Sequence, residues 1–160
     1  MSEAEPGRMP ITPEGYRRLQ QELEHLEKIE RPQVTRQIAQ ARAYGDLSEN
    51  TEYHAAKERQ AFVEARIREL EQQLLRAQII AAEPGSAEQV RFGSSVTLQA
   101  PGEEQPLVYQ IVGPHEADPL AGRIATNSPV GQALLGRSLG EVVEVNAPSG
   151  TRRYTILKIG

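Results

Sequence analysis

Six apolar residues constrain this 160-residue chain more than any other feature. Leu19, Leu23 and Leu26 are spaced four and three apart, and Ile67, Leu70 and Leu74 three and four apart. That alternation lines one seam of a coiled coil. Paired antiparallel as Leu19 with Leu74, Leu23 with Leu70 and Leu26 with Ile67, all three pairs are centred on one point, between Asp46 and Leu47. The spacing therefore predicts a helical hairpin over residues 12–80 that turns at Gly45-Asp46-Leu47-Ser48. The second seam continues through Val63, Gln60, Ala56 and Tyr53, and the first begins at Tyr16 behind Thr12 as N-cap and Pro13 at the first helical position. Arms of roughly 30 residues would reach about 45 Å at about 1.5 Å per residue. Pro32 lacks an amide hydrogen and clashes with the preceding turn, so a kink or short break is expected there, with Val34 and Ile38 drifting off phase beyond it.

Past residue 80 the composition shifts from Glu, Gln, Arg, Leu and Ala to short runs of Gly, Pro, Ser, Val and Ile. Pro84-Gly85 marks the boundary, giving a linker over 81–88 and a second domain over 89–160. Val96-Thr97-Leu98, Leu107 to Val112, Val142 to Val145 and Tyr154 to Ile159 read as strands. Pro148-Ser149-Gly150 turns between the last two, and Pro129 to Leu135 reads as a short helix capped by Ser128 and stopped by Gly136. The expected class is α+β, a helical hairpin followed by a small mixed-sheet domain. Residues 1–11 read as a disordered extension; they have no apolar core of the kind a signal peptide needs.

The formal charge of −4 argues against a broad basic surface for bare nucleic acid, and aromatic content of 4% without Trp against stacking platforms for single strands. The absence of cysteine removes disulfides and thiolate zinc sites and fits a cytoplasmic protein. No stretch approaches the about 18 apolar residues of a membrane span.

The chemistry is concentrated at the predicted turn. Asp46 and Glu49 stand three apart, a spacing at which two carboxylates can converge. Magnesium prefers six oxygens and commonly takes only one or two carboxylates, the rest of its shell coming from water and phosphate. Two acids on a protruding tip thus make an incomplete site that another molecule would finish. The same Asp-x-x-Glu spacing before a helix is also a capping box, and His54 reads as a surface histidine. Acidic and basic residues are nearly balanced along the hairpin, as on solvated coiled-coil flanks, although Arg42, Lys57 and Arg59 lie near enough to the tip to touch phosphate.

The run Gly45-Asp46-Leu47-Ser48-Glu49-Asn50, continued by Glu52-Tyr53-His54-Ala55-Ala56-Lys57, resembles the tip signature of the GreA/GreB family of bacterial transcript-cleavage factors. Thr12 to Tyr16, Leu19-x-x-Glu22-Leu23 and Glu30-Arg31-Pro32 resemble its first helix. Val90-x-Phe92-Gly93, Tyr109-x-Ile111-Val112-Gly113 and Asn127-Ser128-Pro129 resemble its C-terminal motifs. The resemblance spans Ile11 to Gly160. It is closer to GreA than to GreB, because Ala55, Ala56, Glu58, Ala61 and Glu64 stand where GreB carries a broad basic patch.

The resemblance implies an FKBP-like second domain that docks, through Asn127, Ser128 and Pro129, on the largest subunit of RNA polymerase at the rim of its secondary channel. It implies a hairpin, acting as part of a monomer, whose Asp46 and Glu49 share a magnesium ion with the polymerase active site during cleavage of the extruded 3′ end of backtracked RNA. Tyr44, Gly45, Asn50 and Tyr53 would support the tip. The factor would then activate an enzyme without being one. Two alternatives share parts of this pattern. A channel-binding inhibitor of the same architecture would not need the intact acidic pair. An FKBP-like prolyl isomerase would need an aromatic-lined pocket, for which the second half offers only Phe92, Tyr109 and Tyr154.

Overall fold

A computed structural model describes residues 7–82 and 87–160. The chain divides into two compact units: Tyr16–Arg76, and the segment ending at Gly15 together with everything from Ala77 onward.

The first unit is the helical hairpin. Helix α1 (Pro13–His25) leads into α2 (Arg31–Arg42), and α3 (Thr51–Arg76) returns. Of the kink or short break expected at Pro32, the break does not occur. Leu26–Glu30 instead forms a π turn, in which the Arg31 amide donates to the Leu26 carbonyl five residues back. Pro32 has no amide to offer the turn before it, and the wider turn absorbs one extra residue without interrupting the helix. This also corrects the phase expected downstream. Val34 and Ile38 are buried, as are Leu19, Leu26 and Ala41 on the same arm. They leave the seam only if a straight α-helix is assumed; the added residue brings them back.

Across the hairpin, Ala56, Val63, Ile67 and Leu70 complete the buried stripe, while Leu23, Gln60 and Leu74 are half-buried. Burying each Leu, Ile or Val side chain contributes about 1.5–3 kcal/mol, so the stripe dominates the hairpin's stability. Ion pairs flank it in the order an antiparallel arrangement requires: Glu22 meets Arg66, and the later Glu30 meets the earlier Arg59. Arg66 holds the Glu22 carboxyl below its ordinary range through paired hydrogen bonds of 2.6 and 2.8 Å. Arg31 similarly grips both oxygens of Glu64 at 2.7 and 2.8 Å. Such largely exposed pairs fix register more than they stabilise.

The second unit is built on a five-stranded sheet, in the order β5-β4-β3-β7-β6. Its strands are β3 (Ser95–Gln99), β4 (Leu107–Val112), β5 (Arg123–Ala125), β6 (Val142–Ala147) and β7 (Gly150–Ile159). Pairing is antiparallel except between β4 and β5. Val96, Leu98, Ile111, Val143, Val145, Tyr154, Ile156 and Ile159 alternate inward and pack with Leu134 of helix α4 (Pro129–Leu134). The α+β class is as expected, and β5 is an addition, too short at three residues to stand out in the sequence. Among the described residues no helix is long and apolar enough to cross a membrane.

The expected boundaries need correction. Residues 9–11 are not a disordered extension: β1 (Met9–Ile11) pairs in parallel with β2 (Ala77–Ile79), and Ile11 is buried. The hairpin unit correspondingly ends at Arg76, not at residue 80. Of the expected linker over 81–88, residues 83–86 lie outside the described residues. Its last two residues bond to the sheet domain, the Ala87 amide donating to the Ile159 carbonyl and the Glu88 carbonyl accepting from Leu139.

A buried carboxylate secures this two-stranded addition. Glu116 accepts hydrogen bonds from the Thr12 amide (3.0 Å), the Thr12 hydroxyl and the Gly113 amide (2.8 Å). Thr12 Oγ1 in turn accepts from the Gly15 amide, capping α1 as its sequence position suggests. A Cβ on Gly15 would overlap the Glu116 carboxylate, so a larger residue there would displace it. Removing the carboxylate strands buried donors, each worth about 1–3 kcal/mol when left unpaired. Glu116→Ala should therefore lower the unfolding free energy by about 1–3 kcal/mol, read by thermal or urea denaturation of the whole chain. An unchanged midpoint would show that Glu116 does not secure β1.

Candidate functional site

The buried stripe ends at Ala41 on one arm and Ala56 on the other. Between them, the turn from residue 43 to residue 50 has no apolar side chain in the core, and Arg42 to Glu49 are all exposed. Polar contacts must hold it. Gly45 supplies the reversal, with φ +112°, in a region L side chains rarely adopt and with no neighbour against it. Asn50 closes the turn. Its Oδ1 accepts from the Tyr53 amide (3.0 Å), which makes it the N-cap of α3, and its Nδ2 donates to the Ala41 carbonyl at the end of α2 (2.6 Å). One side chain thereby ties the two arms together.

This arrangement decides the capping alternative. The cap of α3 is Asn50, and the Asp46-Glu49 pair is not a capping box. Asp46 Oδ1 accepts from both the Ser48 amide (2.9 Å) and the Ser48 hydroxyl (2.8 Å). Those two bonds, hydroxyl first, hold the Asp46 carboxyl below the ordinary aspartate range, so it is ionised at neutral pH. Glu49 makes no side-chain hydrogen bond or ion pair among the described residues. Asp46 and Glu49 line one open depression with Tyr44, Asn50, Thr51 and Glu52. The turn thus brings the two predicted acids together, one restrained and one unrestrained.

The donor set suits a hard cation. Both acids are solvent-exposed carboxylates with oxygens not used by the protein, the ligand type magnesium takes. Among the described residues no group of three or more His, Cys, Asp or Glu is placed to hold a metal. Asp46 and Glu49 are the two side chains at the turn that could contribute oxygens to such an ion.

The surrounding predicted residues divide. Tyr44 is 71% exposed and borders the acidic depression. Tyr53 is half-buried and sets its ring edge-on to His54 at 5.6 Å. His54 is more engaged than a bare surface histidine: its Nε2 lies 3.3 Å from the Ser48 carbonyl. Arg42 is exposed in the last turn of α2. Lys57 bonds to Gln60 at 2.9 Å. Arg59 is drawn to Glu30 and lies over the Phe62 ring, 5.3 Å from its centroid, so of the three cations expected near phosphate it is the most occupied. Asn50 and Ser48 are the residues sequence reasoning undervalued; the signal was Asn50-x-x-Tyr53, an N-cap spacing overshadowed by the Asp-x-x-Glu beside it.

In the second unit, Asn127 and Pro129 are exposed at the start of α4, and Ser128 between them is half-buried. Ser128 caps that helix, accepting from the Gly131 amide at 3.0 Å and donating to the Ala125 carbonyl at 2.7 Å. Tyr154 is a core residue, which removes one of the three aromatics an isomerase pocket would have needed.

Comparison with known proteins finds one family over most of the chain. Residues 9–79 match the N-terminal domain described as "Transcription elongation factor, N-terminal" of GreA and GreB, and residues 85–160 match the C-terminal domain "Transcription elongation factor, GreA/GreB, C-term". The chain is 50% identical to transcription elongation factor GreA of Phenylobacterium zucineum over 152 residues, covering 95% of this chain and 97% of that protein. It is 48% identical to GreA of Thermodesulfovibrio yellowstonii, covering 95% and 96%. Among solved structures, GreA factor homolog 1 of Thermus thermophilus is 34% identical, with 96% of this chain and 99% of that one covered, at a TM-score of 0.42.

Because Asn50 both caps α3 and bridges to α2, Asn50→Ala should fray the turn without melting the seam. A lost N-cap costs about 0.5–2 kcal/mol, confined here to the first turn of α3. Hydrogen exchange should accelerate at the Tyr53 and His54 amides while those of Val63 to Leu70 keep their protection. Uniform acceleration along α3 would show that the turn and the seam unfold as one.

Proposed function

The chain belongs to the GreA/GreB family of transcription elongation factors, and from that premise we propose that it binds bacterial RNA polymerase and stimulates cleavage of backtracked nascent RNA. The hairpin enters the secondary channel and sets Asp46 and Glu49 beside the polymerase active site. The second unit docks at the channel rim, on the largest subunit, through Asn127, Ser128 and Pro129. The protein acts as a monomer in the cytoplasm and is a factor, with the polymerase supplying the primary catalytic site. The observation that carries this reading is the exposed acidic pair at the turn, with carboxylate oxygens to spare.

Each residue then has a defined task. Asp46 presents an ionised, pre-oriented carboxylate. Glu49 adds a second oxygen from the same depression. Gly45 and Asn50 hold the turn that presents them. A magnesium ion, when shared with the polymerase, supplies charge neutralisation and activation of water for phosphodiester hydrolysis. Arg42 and Lys57, at the ends of helices flanking the turn, are the cations available to extruded RNA phosphates. The intact acids argue against inhibition of the polymerase by an otherwise similar hairpin, and a cleavage assay on a stalled complex separates the two.

Asp46→Asn is the informative substitution. Asn keeps the Oδ1 that accepts from Ser48, so the turn survives, but it removes the charge a metal requires. Stimulated RNA cleavage in a stalled, backtracked complex should fall by about 100-fold or more, on the scale of charge stabilisation lost at a reacting centre, while the factor still competes for polymerase as the unaltered chain does. Near-normal cleavage by Asp46→Asn over a range of magnesium concentrations would defeat the assignment. For docking, Asn127→Ala and Pro129→Ala alter exposed side chains that do not cap α4. Both should weaken polymerase binding in a competition assay without lowering the melting temperature; unchanged affinity would move the docking surface elsewhere.

A further inference from the structure

We infer that Ser48 is a positioning residue: its hydroxyl and amide, both bound to Asp46 Oδ1, preset the Asp46 carboxylate for the shared cation. This rests on the reading of Asp46 as a ligand and extends it to a residue outside the acidic pair. An exposed aspartate on a turn ordinarily exchanges among staggered rotamers. Here two donors on a single oxygen, at 2.9 and 2.8 Å, select one arrangement and leave Oδ2 without a protein donor among the described residues.

Ser48 is itself held. Its carbonyl lies 3.3 Å from His54 Nε2, a hydrogen bond in the tautomer that carries its proton there. His54 belongs to the first turn of α3 and packs edge-on against Tyr53. A continuous path therefore runs from the start of α3 through His54 and Ser48 to Asp46. Glu49 has no such support, which makes the two acids unequal: Asp46 has its ordering cost met by the fold, whereas Glu49 is ordered only when the ion arrives. Groups that orient metal ligands through one hydrogen bond commonly change metal affinity or activity by about 10–100-fold when removed.

The test uses the full chain and two substitutions. Ser48→Ala deletes the hydroxyl donor and retains the amide, whereas Ser48→Thr retains both. In the free protein, NMR couplings at the Asp46 side chain should report one rotamer in the unaltered chain and in Ser48→Thr, and averaging in Ser48→Ala. With polymerase, Ser48→Ala should need about tenfold more magnesium for half-maximal stimulated cleavage, at an unchanged half-saturating concentration of factor, and Ser48→Thr should restore the original dependence. A merely structural role would depress cleavage at every magnesium concentration. Rotamer averaging in the unaltered chain, an unshifted magnesium dependence in Ser48→Ala, or equal loss in Ser48→Thr would overturn the inference. Failure of the underlying reading shows differently: cleavage that survives Asp46→Asn removes the ligand role, and with it any function for the clasp.

Discussion

Everything at the tip depends on where the apolar stripe stops. From Leu19 to Ala41 on one arm and from Ala56 to Leu70 on the other, buried side chains hold the hairpin closed. The eight residues between Arg42 and Thr51 contribute none of that burial. Stability and chemistry are thereby assigned to different stretches of chain. The stripe can be strong because it carries no charge, and the turn can expose two carboxylates because it is not asked to hold the arms together. The side-chain bridge between these regimes is polar, Asn50 reaching the Ala41 carbonyl at the stripe's last buried residue.

The stripe also explains why the π turn is tolerated. A helix of uniform pitch starting from Leu26 would carry Val34 and Ile38 away from α3, forfeiting two of the buried contacts on that arm. Widening one turn forgoes ideal helical hydrogen bonds over Leu26–Glu30 but recovers the burial of Val34, Ile38 and Ala41. At about 1.5–3 kcal/mol for each large apolar side chain, against about 0.5–1.5 kcal/mol for a typical net hydrogen bond, burial wins. Pro32 sets the location, since the turn ahead of it has already lost a donor.

This balance accounts for what was legible in the sequence and what was not. The seam, the position of the turn and four of the five strands of the main sheet follow from spacing, because apolar periodicity is a direct record of burial. The π turn is not recorded that way; it appears in the sequence only as a loss of phase after a proline, and a break predicts the same loss. Strands β1 and β2 escaped because three-residue strands carry too few alternations to register. Their anchor, Glu116, lies 104 positions from its partner Thr12 and leaves no periodic trace at all. At the tip, two acidic residues and an asparagine all fit the start of a helix, and only the hydrogen bonds distinguish the cap at Asn50 from the free carboxylates.

That distinction bears on how an incomplete site can be maintained. A carboxylate used as a helix cap has its charge committed to backbone donors, and metal binding would have to compete with the helix terminus. Giving the cap to a neutral Asn50 removes the competition. Among the described residues Asp46 is then restrained only through one oxygen, by a serine that does not belong to the helix, and Glu49 has no side-chain partner. Two carboxylates left this way fall short of the six oxygens magnesium seeks, so in the proposed role the same separation of duties that frees them for metal would leave them dependent on a second molecule to complete the shell. A turn stabilised by its own acids would be sturdier and chemically idle. This one is held by Gly45, Asn50 and Ser48, and its acids remain available.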